Sequence, residues 1–411
     1  MPGTANFESI VVGTGPAGLA AALALAAVGA EAAVVGPPPT MPPQGDTRTA
    51  ALFAGSIELL RNVGVWDAVA RESAPLRAIR IIDDTGGLLR APEVLFEARE
   101  VGLDVFGYNV PNSALHAALH EGARRDRRVR VVETAAVAAV DLAHGQATLR
   151  TADGARLTAK LIVGADGRRS ICRSAAGIGT HSWAYEQSAI ATRFSHGRAH
   201  DGVSNEFHRR AGPCTTVPLP ELASSLVWVE RPAIAQHVAD MSDAAFRAAL
   251  EGQLHGLLGT LGDVGPRRVF PLSGLTADRF AQNRVALAGE AGHVLPPIGA
   301  QGLNLSLRDA AVLAQCVAEA RRRGDDVGGP GALARYHELR RLDVGSRRLA
   351  VDALNRTLLA DLLPVHLLRG AGLHLIRAIS PLKRTLMHQG LEPFGAQPLL
   401  MQPGGGGLLA R

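Results

Sequence analysis

The chain has 411 residues, of which 47% are hydrophobic and 20% are charged, the balance of a folded protein rather than a disordered one. This length favours two or three domains. The net charge is +5, but the basic residues are almost all arginines without interleaved aromatic residues, which argues against a nucleic-acid partner. Three widely separated cysteines argue against a disulfide framework, and no basic stretch precedes the first apolar run. We therefore expect a cytoplasmic protein without a signal peptide.

The N-terminal segment has the pattern of a strand, a glycine turn, a helix and a second strand. The strands are predicted at 9–12 and 32–35, with the sequence GTGPAG at 13–18 between the first strand and the helix. This order is the context that a dinucleotide-binding fingerprint requires. An ordinary glycine turn is the alternative interpretation.

Three glycines of this turn have separate roles in such a fingerprint. Gly13 allows the tight turn, Gly15 lets the backbone approach a pyrophosphate, and Gly18 lets the helix pack on the strand. The second strand, however, ends in Val35 and Gly36, where an acidic residue normally binds the ribose. We therefore expect the ribose contact to come from another residue, or adenosine binding to be weaker.

The elements predicted after this unit are, in chain order, a loop at 37–45, a helix at 49–69, strands at 78–82 and 105–110, a helix at 113–125, strands at 129–132, 147–150, 156–163, 189–194 and 225–229, a helix at 240–260, a strand at 285–288, and helices over the last hundred residues with a mobile glycine-rich tail at 404–407. The βα-type patterns form three blocks, and a meander-like sheet lies between the second and the third. This order predicts a discontinuous nucleotide domain with an inserted substrate domain.

Two further glycine motifs each follow a predicted strand. Residues 164–170 read GADGRRS, and residues 289–304 read GEAGHVLPPIGAQGLN and lead into a helix. Together with the N-terminal fingerprint, they resemble the three signatures of the FAD-dependent aromatic hydroxylases, the group A flavoprotein monooxygenases. The resemblance covers residues 8–340.

Shorter segments are similar to one branch of that family, the ubiquinone-biosynthesis hydroxylases. These segments are 46–52 (DTRTAAL), 110–115 (VPNSAL), 183–189 (WAYEQSA), 206–208 (EFH), 212–213 (GP) and 217–220 (VPLP). In that branch the third motif can carry Glu where most members have Asp, as at Glu290, and the first motif can lose its terminal acid.

The resemblance implies an α/β fold with a discontinuous Rossmann-like FAD-binding domain, an inserted antiparallel β-sheet substrate domain and a helical C-terminal region. The predicted ranges are 1–76, 100–180 and 265–335 for the FAD-binding domain, 77–99 and 181–264 for the substrate domain, and 336–411 for the C-terminal region with its flexible tail.

The resemblance also implies the chemistry. Reduced FAD and dioxygen would form a flavin hydroperoxide that transfers one oxygen atom to an electron-rich ring, and NAD(P)H or another electron donor would re-reduce the flavin. No catalytic side chain is predicted, because this chemistry belongs to the cofactor. The expected substrate is a polyprenylated phenol of ubiquinone biosynthesis. Peripheral association with the inner face of the membrane or with a biosynthetic complex is an additional expectation, and the oligomeric state is left open.

Residues matching the family motifs form the predicted site. Pro297, Gly299 and Gln301 would line the flavin, Glu290 would hold the ribityl chain, and Arg48 would reach the pyrophosphate. The full predicted cofactor-binding set is Gly13, Gly15, Pro16, Ala17, Gly18, Arg48, Asn112, Asp166, Gly167, Gly289, Glu290, Gly299, Ala300, Gln301, Gly302, Leu303 and Asn304. No metal is predicted.

Several residues allow two interpretations. Asn112 faces the cofactor or caps a helix, and His293 is a proton relay or a loop histidine with its hydrogen bonds satisfied. His116 and His120 have the spacing of a metal-binding pair, but no third ligand is evident, so a solvated pair is favoured. The leucine-rich segment at 358–376 indicates a helix packed on the FAD domain or a surface for membrane or partner proteins. Further candidates near the substrate are residues 187–194, Phe207 and Trp228.

Two other functions are kept as alternatives. One is a related flavin monooxygenase acting on a small soluble aromatic or an isoprenoid. The other is a non-catalytic flavin-binding scaffold of a biosynthetic complex, which only Gly36 and Glu290 favour. A scaffold would show no substrate-stimulated oxygen consumption.

Overall fold

The computed structural model describes residues 5–38, 46–86, 92–297, 299–359, 379–391 and 396–409. The segment at 358–376, predicted as a helix or a docking surface, lies outside these residues apart from its first two positions. Among the described residues, no helix is both long enough and apolar enough to cross a bilayer.

The strands are β1 (Ala5–Val12), β2 (Ala32–Gly36), β3 (Thr49–Phe53), β4 (Ala74–Leu76), β5 (Ala78–Asp83), β6 (Val94–Glu97), β7 (Gly107–Pro111), β8 (Val129–Glu133), β9 (Val137–Leu142), β10 (Ala147–Thr151), β11 (Arg156–Gly164), β12 (Thr180–His196), β13 (Val203–His208), β14 (Cys214–Leu219), β15 (Ala223–Glu230), β16 (Leu261–Val264), β17 (Arg268–Ala277), β18 (Ala281–Gln282), β19 (Val285–Leu287) and β20 (His293–Val294). The helices are α1 (Pro16–Ala27), α2 (Ala54–Asn62), α3 (Trp66–Ala70), α4 (Asn112–Arg125), α5 (Ile171–Ala175), α6 (Pro232–Asp240), α7 (Asp243–Leu254), α8 (Gln301–Arg323), α9 (Pro330–Leu359), α10 (Ser380–Leu391) and α11 (Gly405–Leu409). Short 3-10 helices lie at Ala98–Val101, Gly289–Ala291 and Leu399–Met401.

The first sheet carries the three glycine motifs at one edge. Its main order is β18-β19-β11-β1-β2-β8, in which β1, β2, β8, β11 and β19 run parallel. The carboxyl ends of β1, β11 and β19 therefore meet at one edge of the sheet. Helix α1 is apolar all round, as expected of a helix enclosed on several sides, and it packs against α8 and α4.

The second sheet has nine strands, with main order β20-β17-β12-β15-β14-β13-β5-β6 and β16 paired to β12. Its longest strand, β12, pairs antiparallel with β15 and β17. Even-numbered residues of β12 and β15, such as Ile190, Phe194 and Trp228, pack against α6 and α7. Odd-numbered residues of the same strands face the opposite side, because side chains alternate along a strand.

The predicted α/β class, with a Rossmann-like domain, a mainly antiparallel sheet and C-terminal helices, is confirmed. Within the nine-stranded sheet, β5 and β13 pair in parallel. Three details differ from the sequence predictions. Residues 49–53 form β3 rather than the start of a helix, because they pair with β7. Residues 268–277 were assigned to the FAD-binding domain but form β17 of the nine-stranded sheet. The tail at 404–407 was expected to be mobile, yet Gly406 donates to Asn62 Oδ1 and Leu400 beside it is fully buried.

Candidate functional site

The first glycine turn borders a cavity of about 430 Å³, here called the glycine-loop cavity. A Cβ atom on Gly13 would lie 2.2 Å from the Ala165 carbonyl oxygen, and one on Gly18 would lie 2.0 Å from the Gly13 carbonyl oxygen. These two glycines therefore allow close backbone packing. No atom lies within 4 Å of a Cβ on Gly15, so this position leaves the approach to the N-terminus of α1 open. The lining residues are Val12, Gly13, Thr14, Gly15, Val35, Gly36, Pro37, Val137, Ala165, Asp166, Arg169 and Ile171.

The second motif contributes the partly buried carboxylate of Asp166 to this cavity. Asp166 Oδ2 accepts a hydrogen bond from the Cys172 backbone N–H at 3.1 Å. Asp166 Oδ1 is buried and has no hydrogen-bond partner among the described residues. Such an oxygen is costly unless a ligand or water satisfies it. Arg169, which the sequence analysis did not assign a role, lies at the same cavity and adds a cation there.

The second and third motifs are tied together by arginines. The buried Arg173 donates to the Ala291 carbonyl oxygen at 2.8 Å and to the Arg168 carbonyl oxygen at 2.8 Å. Arg168 donates in turn to Glu290 Oε2 at 3.2 Å and to Ser273 Oγ at 2.6 Å. The Glu290 side chain is 57% exposed, so its carboxylate is available to a ligand. Its contact with the ribityl chain stays a prediction.

The third motif turns tightly before it enters α8. Gly299 and Ala300 both have left-handed backbone conformations, with φ of 67° and 52°. Asn304 holds this turn: its Nδ2 donates to the Ala51 and Ala300 carbonyl oxygens, and its Oδ1 accepts from the Phe53 N–H and Ser56 Oγ. Asn304 was predicted to bind the cofactor, but its amide is fully engaged by the protein. The side chain therefore supports the turn, and a contact of Asn304 with the cofactor stays a prediction.

A buried network of charges lies behind the third motif. Asp309 Oδ2 accepts from the Gly289 N–H at 2.8 Å and lies 2.7 Å from His293 Nε2, while its Oδ1 accepts from Arg340 Nε at 2.6 Å. Arg340 also donates to Asp343, which a second arginine, Arg308, contacts at 3.0 Å. His293 is therefore engaged with Asp309 inside the protein. This arrangement favours the interpretation as a satisfied histidine over a proton relay.

The pKa of Asp343 predicts how the stability of the protein depends on pH. Burial raises this pKa, but Arg340 and Arg308 outweigh burial and lower it from 3.8 to about 2. A depressed folded-state pKa contributes stability above the unfolded pKa, and that contribution is lost as pH falls from about 4 to about 2. In urea unfolding, we expect the wild type to be more stable than Asp343→Asn at pH 5 and the two curves to converge toward pH 2.5. A constant gap over this range would contradict the assignment.

A second cavity of about 250 Å³, here called the ring cavity, lies between the third motif and the odd-numbered face of the nine-stranded sheet. Its walls include Ala189, Ala191 and Val227 from the sheet, and Pro296 and Pro297 from the motif. The other lining residues are Thr47, Arg48, Thr49, Asn112, Arg168, Ser225, Leu226, Phe270, Pro271, Leu272, Ser273 and Leu295.

Two predicted cofactor residues lie at the ring cavity. Pro111 occupies the N-cap position of α4 and Asn112 follows it, so the interpretation of Asn112 as a helix cap is wrong. Asn112 Oδ1 is buried without a hydrogen-bond partner among the described residues. Arg48 pairs with Asp46 at 2.9 Å and lies over the ring of Phe270, rather than at the glycine-loop cavity where a pyrophosphate contact was expected.

The structure also corrects the candidates near the substrate. Ala189 and Ala191, within the predicted segment 187–194, line the ring cavity. Phe207 and Trp228 instead belong to the core on the opposite face of the sheet, with Phe246. The alternation of apolar and polar residues predicts the strands, but it does not tell which face of the sheet lies against the third motif.

His116 was expected to be solvated. Its Nε2 atom instead lies 2.8 Å from the Thr14 carbonyl oxygen.

These features fit a dinucleotide that carries a flat ring at one end. The glycine-loop cavity offers open backbone N–H groups and the unpartnered Asp166 oxygen, and the ring cavity offers the unpartnered Asn112 oxygen between apolar walls. Among the described residues, no group of three His, Cys, Asp or Glu side chains is arranged to hold a metal ion.

Comparisons with known proteins agree with this geometry. Residues 6–348 match the family described as FAD binding domain. The chain is 36% identical over 398 residues to the ubiquinone hydroxylase UbiL of Rhodospirillum rubrum, covering 95% of this chain and 91% of that protein. It is 30% identical over 390 residues to the 3-demethoxyubiquinol 3-hydroxylase of Escherichia coli, covering 93% and 98%.

A solved structure supports the same fold. The p-nitrophenol 4-monooxygenase PnpA from Pseudomonas putida superposes with a TM-score of 0.76 at 20% identity, covering 96% of this chain and all of that chain. The predicted family resemblance and the FAD cofactor are thereby confirmed. The chain belongs to the FAD binding domain family, in the ubiquinone-hydroxylase branch of the FAD-dependent aromatic hydroxylases.

Proposed function

We propose that this FAD-dependent monooxygenase hydroxylates the aromatic ring of a polyprenylated phenol on the route to ubiquinone. The observation that carries the proposal is the ring cavity, which joins the third motif to an apolar sheet face. The names of the relatives, ubiquinone hydroxylase and 3-demethoxyubiquinol 3-hydroxylase, support this substrate class. We further propose NAD(P)H as the electron donor, which the family resemblance favours.

Bound FAD would supply the electron storage and oxygen activation that hydroxylation needs. The chain's own residues bind and orient the cofactor and the substrate, and they exclude water from the site. The glycine turn at 13–18, Asp166 and Arg169 would hold the adenosine diphosphate half, and Asn112 and the third-motif turn would hold the ring. The small side chains of Ala189 and Ala191 leave room for a planar substrate, and Val227 and Leu272 keep this room apolar. A dry cavity protects a reactive oxygen species from water.

Oxygen consumption by the purified, FAD-loaded protein tests the proposal. With NAD(P)H present, a prenylated phenol should stimulate oxygen uptake and yield a hydroxylated ring. Uptake without a hydroxylated product, or no stimulation by any phenol, would contradict the assignment. The latter result together with bound FAD would favour the non-catalytic scaffold.

One observation favours a second candidate, a related enzyme for a small soluble aromatic. The ring cavity of about 250 Å³ is smaller than the pockets of about 300–1,000 Å³ that enclose drug-sized ligands. It holds a ring but not a polyprenyl tail, so a tail must extend beyond it. A substrate series with zero, one, two and more isoprene units separates the two candidates. The KM should fall with tail length for a polyprenylphenol hydroxylase and should not change for the alternative.

Filling the ring cavity should weaken the aromatic substrate selectively. In Ala191→Leu, three added carbon atoms enter the cavity from a buried position of β12. We expect KM for the phenol to rise about tenfold, which corresponds to about 1.4 kcal/mol, while FAD content stays unchanged. The matched control is Ala184→Leu, the same substitution at an exposed position of the same strand. Equal effects of the two substitutions would contradict the location of the substrate.

We also propose that the protein associates peripherally with a membrane that holds its substrate. Leu342 and Leu349 are 48% and 66% exposed, and their spacing of seven residues sets them on one side of α9. Arg341 is exposed next to Leu342, and its positive charge suits anionic headgroups. In a flotation assay with vesicles that contain phosphatidylglycerol, the wild type should float with the vesicles. The variant Leu342→Ser/Leu349→Ser should stay in the unbound fraction. Equal flotation of both proteins would contradict this surface.

A further inference from the structure

The end of β2 lacks the acidic residue that binds the adenosine ribose in a dinucleotide fold. Gly36 occupies that position, and a Cβ atom there would lie 3.1 Å from Thr14 Cγ2 and 3.2 Å from the Thr14 backbone nitrogen. Thr14 is itself held in place, because its Oγ1 donates to the Pro37 carbonyl oxygen at 2.8 Å. A side chain at position 36 would therefore press on Thr14, which would have to shift by a few tenths of an ångström. The close packing of the glycine turn thus suits a glycine at the end of β2.

The neighbouring strand carries a glutamate at the same level. In the parallel pair β2–β8, Gly36 is the partner of Glu133. Residues paired in register project to the same face of a sheet, and neighbouring strands lie about 4.8 Å apart. The three rotatable bonds of a glutamate side chain span that distance. Glu133 can thus deliver its carboxylate to the region that an acid at position 36 would serve.

The surroundings of Glu133 leave its carboxylate available. Glu133 is exposed, and its side chain makes no hydrogen bond or ion pair with any residue that the structure describes. Burial lowers the pKa of His120, and the neighbouring His116 lowers this pKa further. The negative charge of Glu133 raises it. Val129 and Val131, which share one face of β8 with Glu133, pack against the core that includes Leu119 of α4. In α4, His116 contacts the Thr14 carbonyl oxygen of the glycine turn. His120 Nε2 is buried on the same side and has no described hydrogen-bond partner.

We propose that Glu133, on β8, binds the adenosine ribose of FAD and replaces the acid that this chain lacks at Gly36. The proposal rests on the assignment of FAD to the glycine-loop cavity. It makes Glu133 a cofactor-binding residue that acts through hydrogen bonds from the ribose hydroxyls to its carboxylate. Because it lies on a different strand from the usual acid, motif comparison along β2 does not reveal it.

Titration of the apoprotein with FAD and with FMN tests this role. FMN contains the flavin and one phosphate but no adenosine. We expect Glu133→Gln to raise the Kd of FAD about tenfold and to leave the Kd of FMN within about twofold. Glu31→Gln is the matched control, since Glu31 is an exposed glutamate just before the opposite end of β2. It should change neither constant.

The FAD analogue with 2′-deoxyadenosine provides the second measurement. The wild type should bind it about tenfold more weakly than FAD, and Glu133→Gln should not distinguish the two dinucleotides. Equal losses of FAD and FMN affinity in Glu133→Gln, or an unchanged FAD Kd, would overturn the role of Glu133. These outcomes differ from a failure of the proposed hydroxylase function, in which the wild type binds FAD normally but yields no hydroxylated product.

Discussion

Replacing Gly15 with valine is expected to abolish FAD binding at micromolar concentrations while the protein remains folded. Gly15 has φ of −74° and ψ of 173°, an extended conformation that valine adopts readily. No atom lies within 4 Å of a Cβ atom at this position, so the side chain has space in the protein. That space is the approach to the N–H groups at the start of α1, where a diphosphate must come close to the backbone.

The size of this effect follows from what the valine displaces. A branched side chain keeps the diphosphate away from several backbone donors at once, and hydrogen bonds to charged groups contribute about 1.5–3 kcal/mol each. We expect the Kd of FAD to rise on the order of 100-fold or more. Titration of apoprotein followed by flavin fluorescence measures it, with circular dichroism to show that the fold is retained.

Gly331→Val is the matched control for this experiment. Gly331 lies in the first turn of α9, is exposed, and likewise would have no atom within 4 Å of an added Cβ atom. It lies outside both cavities, so the FAD affinity of this variant should equal that of the wild type. If Gly15→Val also bound FAD normally, the glycine-loop cavity could not be the diphosphate site.

Much of the fold and part of the site could be predicted from the sequence. The strand, turn and helix around Gly13, Gly15 and Gly18 follow from local rules of spacing and backbone conformation. The structure of residues 49–53 could not be predicted in this way. Their apolar pattern is helical, but they pair with β7, which is distant in the chain. Tertiary pairing outweighed local pattern there.

Side-chain roles were less predictable than the elements that carry them. Asn304 lies in the third motif, yet its contacts with Ala51, Phe53 and Ser56 join segments about 250 residues apart. Trp228 and Val227 are adjacent in β15 but face opposite sides of the sheet, and only the packing of α7 decides which side is core. Asp309 lies outside the three glycine motifs, so no motif in the sequence indicates its role. Its importance comes from the partners that the fold brings to it.

The network around Asp309 leads to the second large expected effect: Arg340→Met should lower the free energy of unfolding by about 3–5 kcal/mol. Arg340 is 1% exposed and donates to both Asp309 and Asp343. Methionine keeps much of the volume but removes the charge that offsets two buried carboxylates. The control Arg341→Met removes a half-exposed arginine paired with Glu338, and should change stability by less than about 0.5 kcal/mol.

A double variant separates lost charge pairing from lost packing. Arg340→Met leaves Asp309 without its arginine, whereas Asp343 still pairs with Arg308. Arg340→Met/Asp309→Asn removes the charge of that carboxylate, so it should recover part of the stability that Arg340→Met loses. Equal stability of the single and double variants would indicate that packing, not charge, dominates. Because Asp309 also accepts from the Gly289 N–H and contacts His293, the same network holds the turn that presents Glu290. Loss of Arg340 should therefore weaken FAD binding as well as the fold, which links the buried charges of α8 and α9 to the cofactor site.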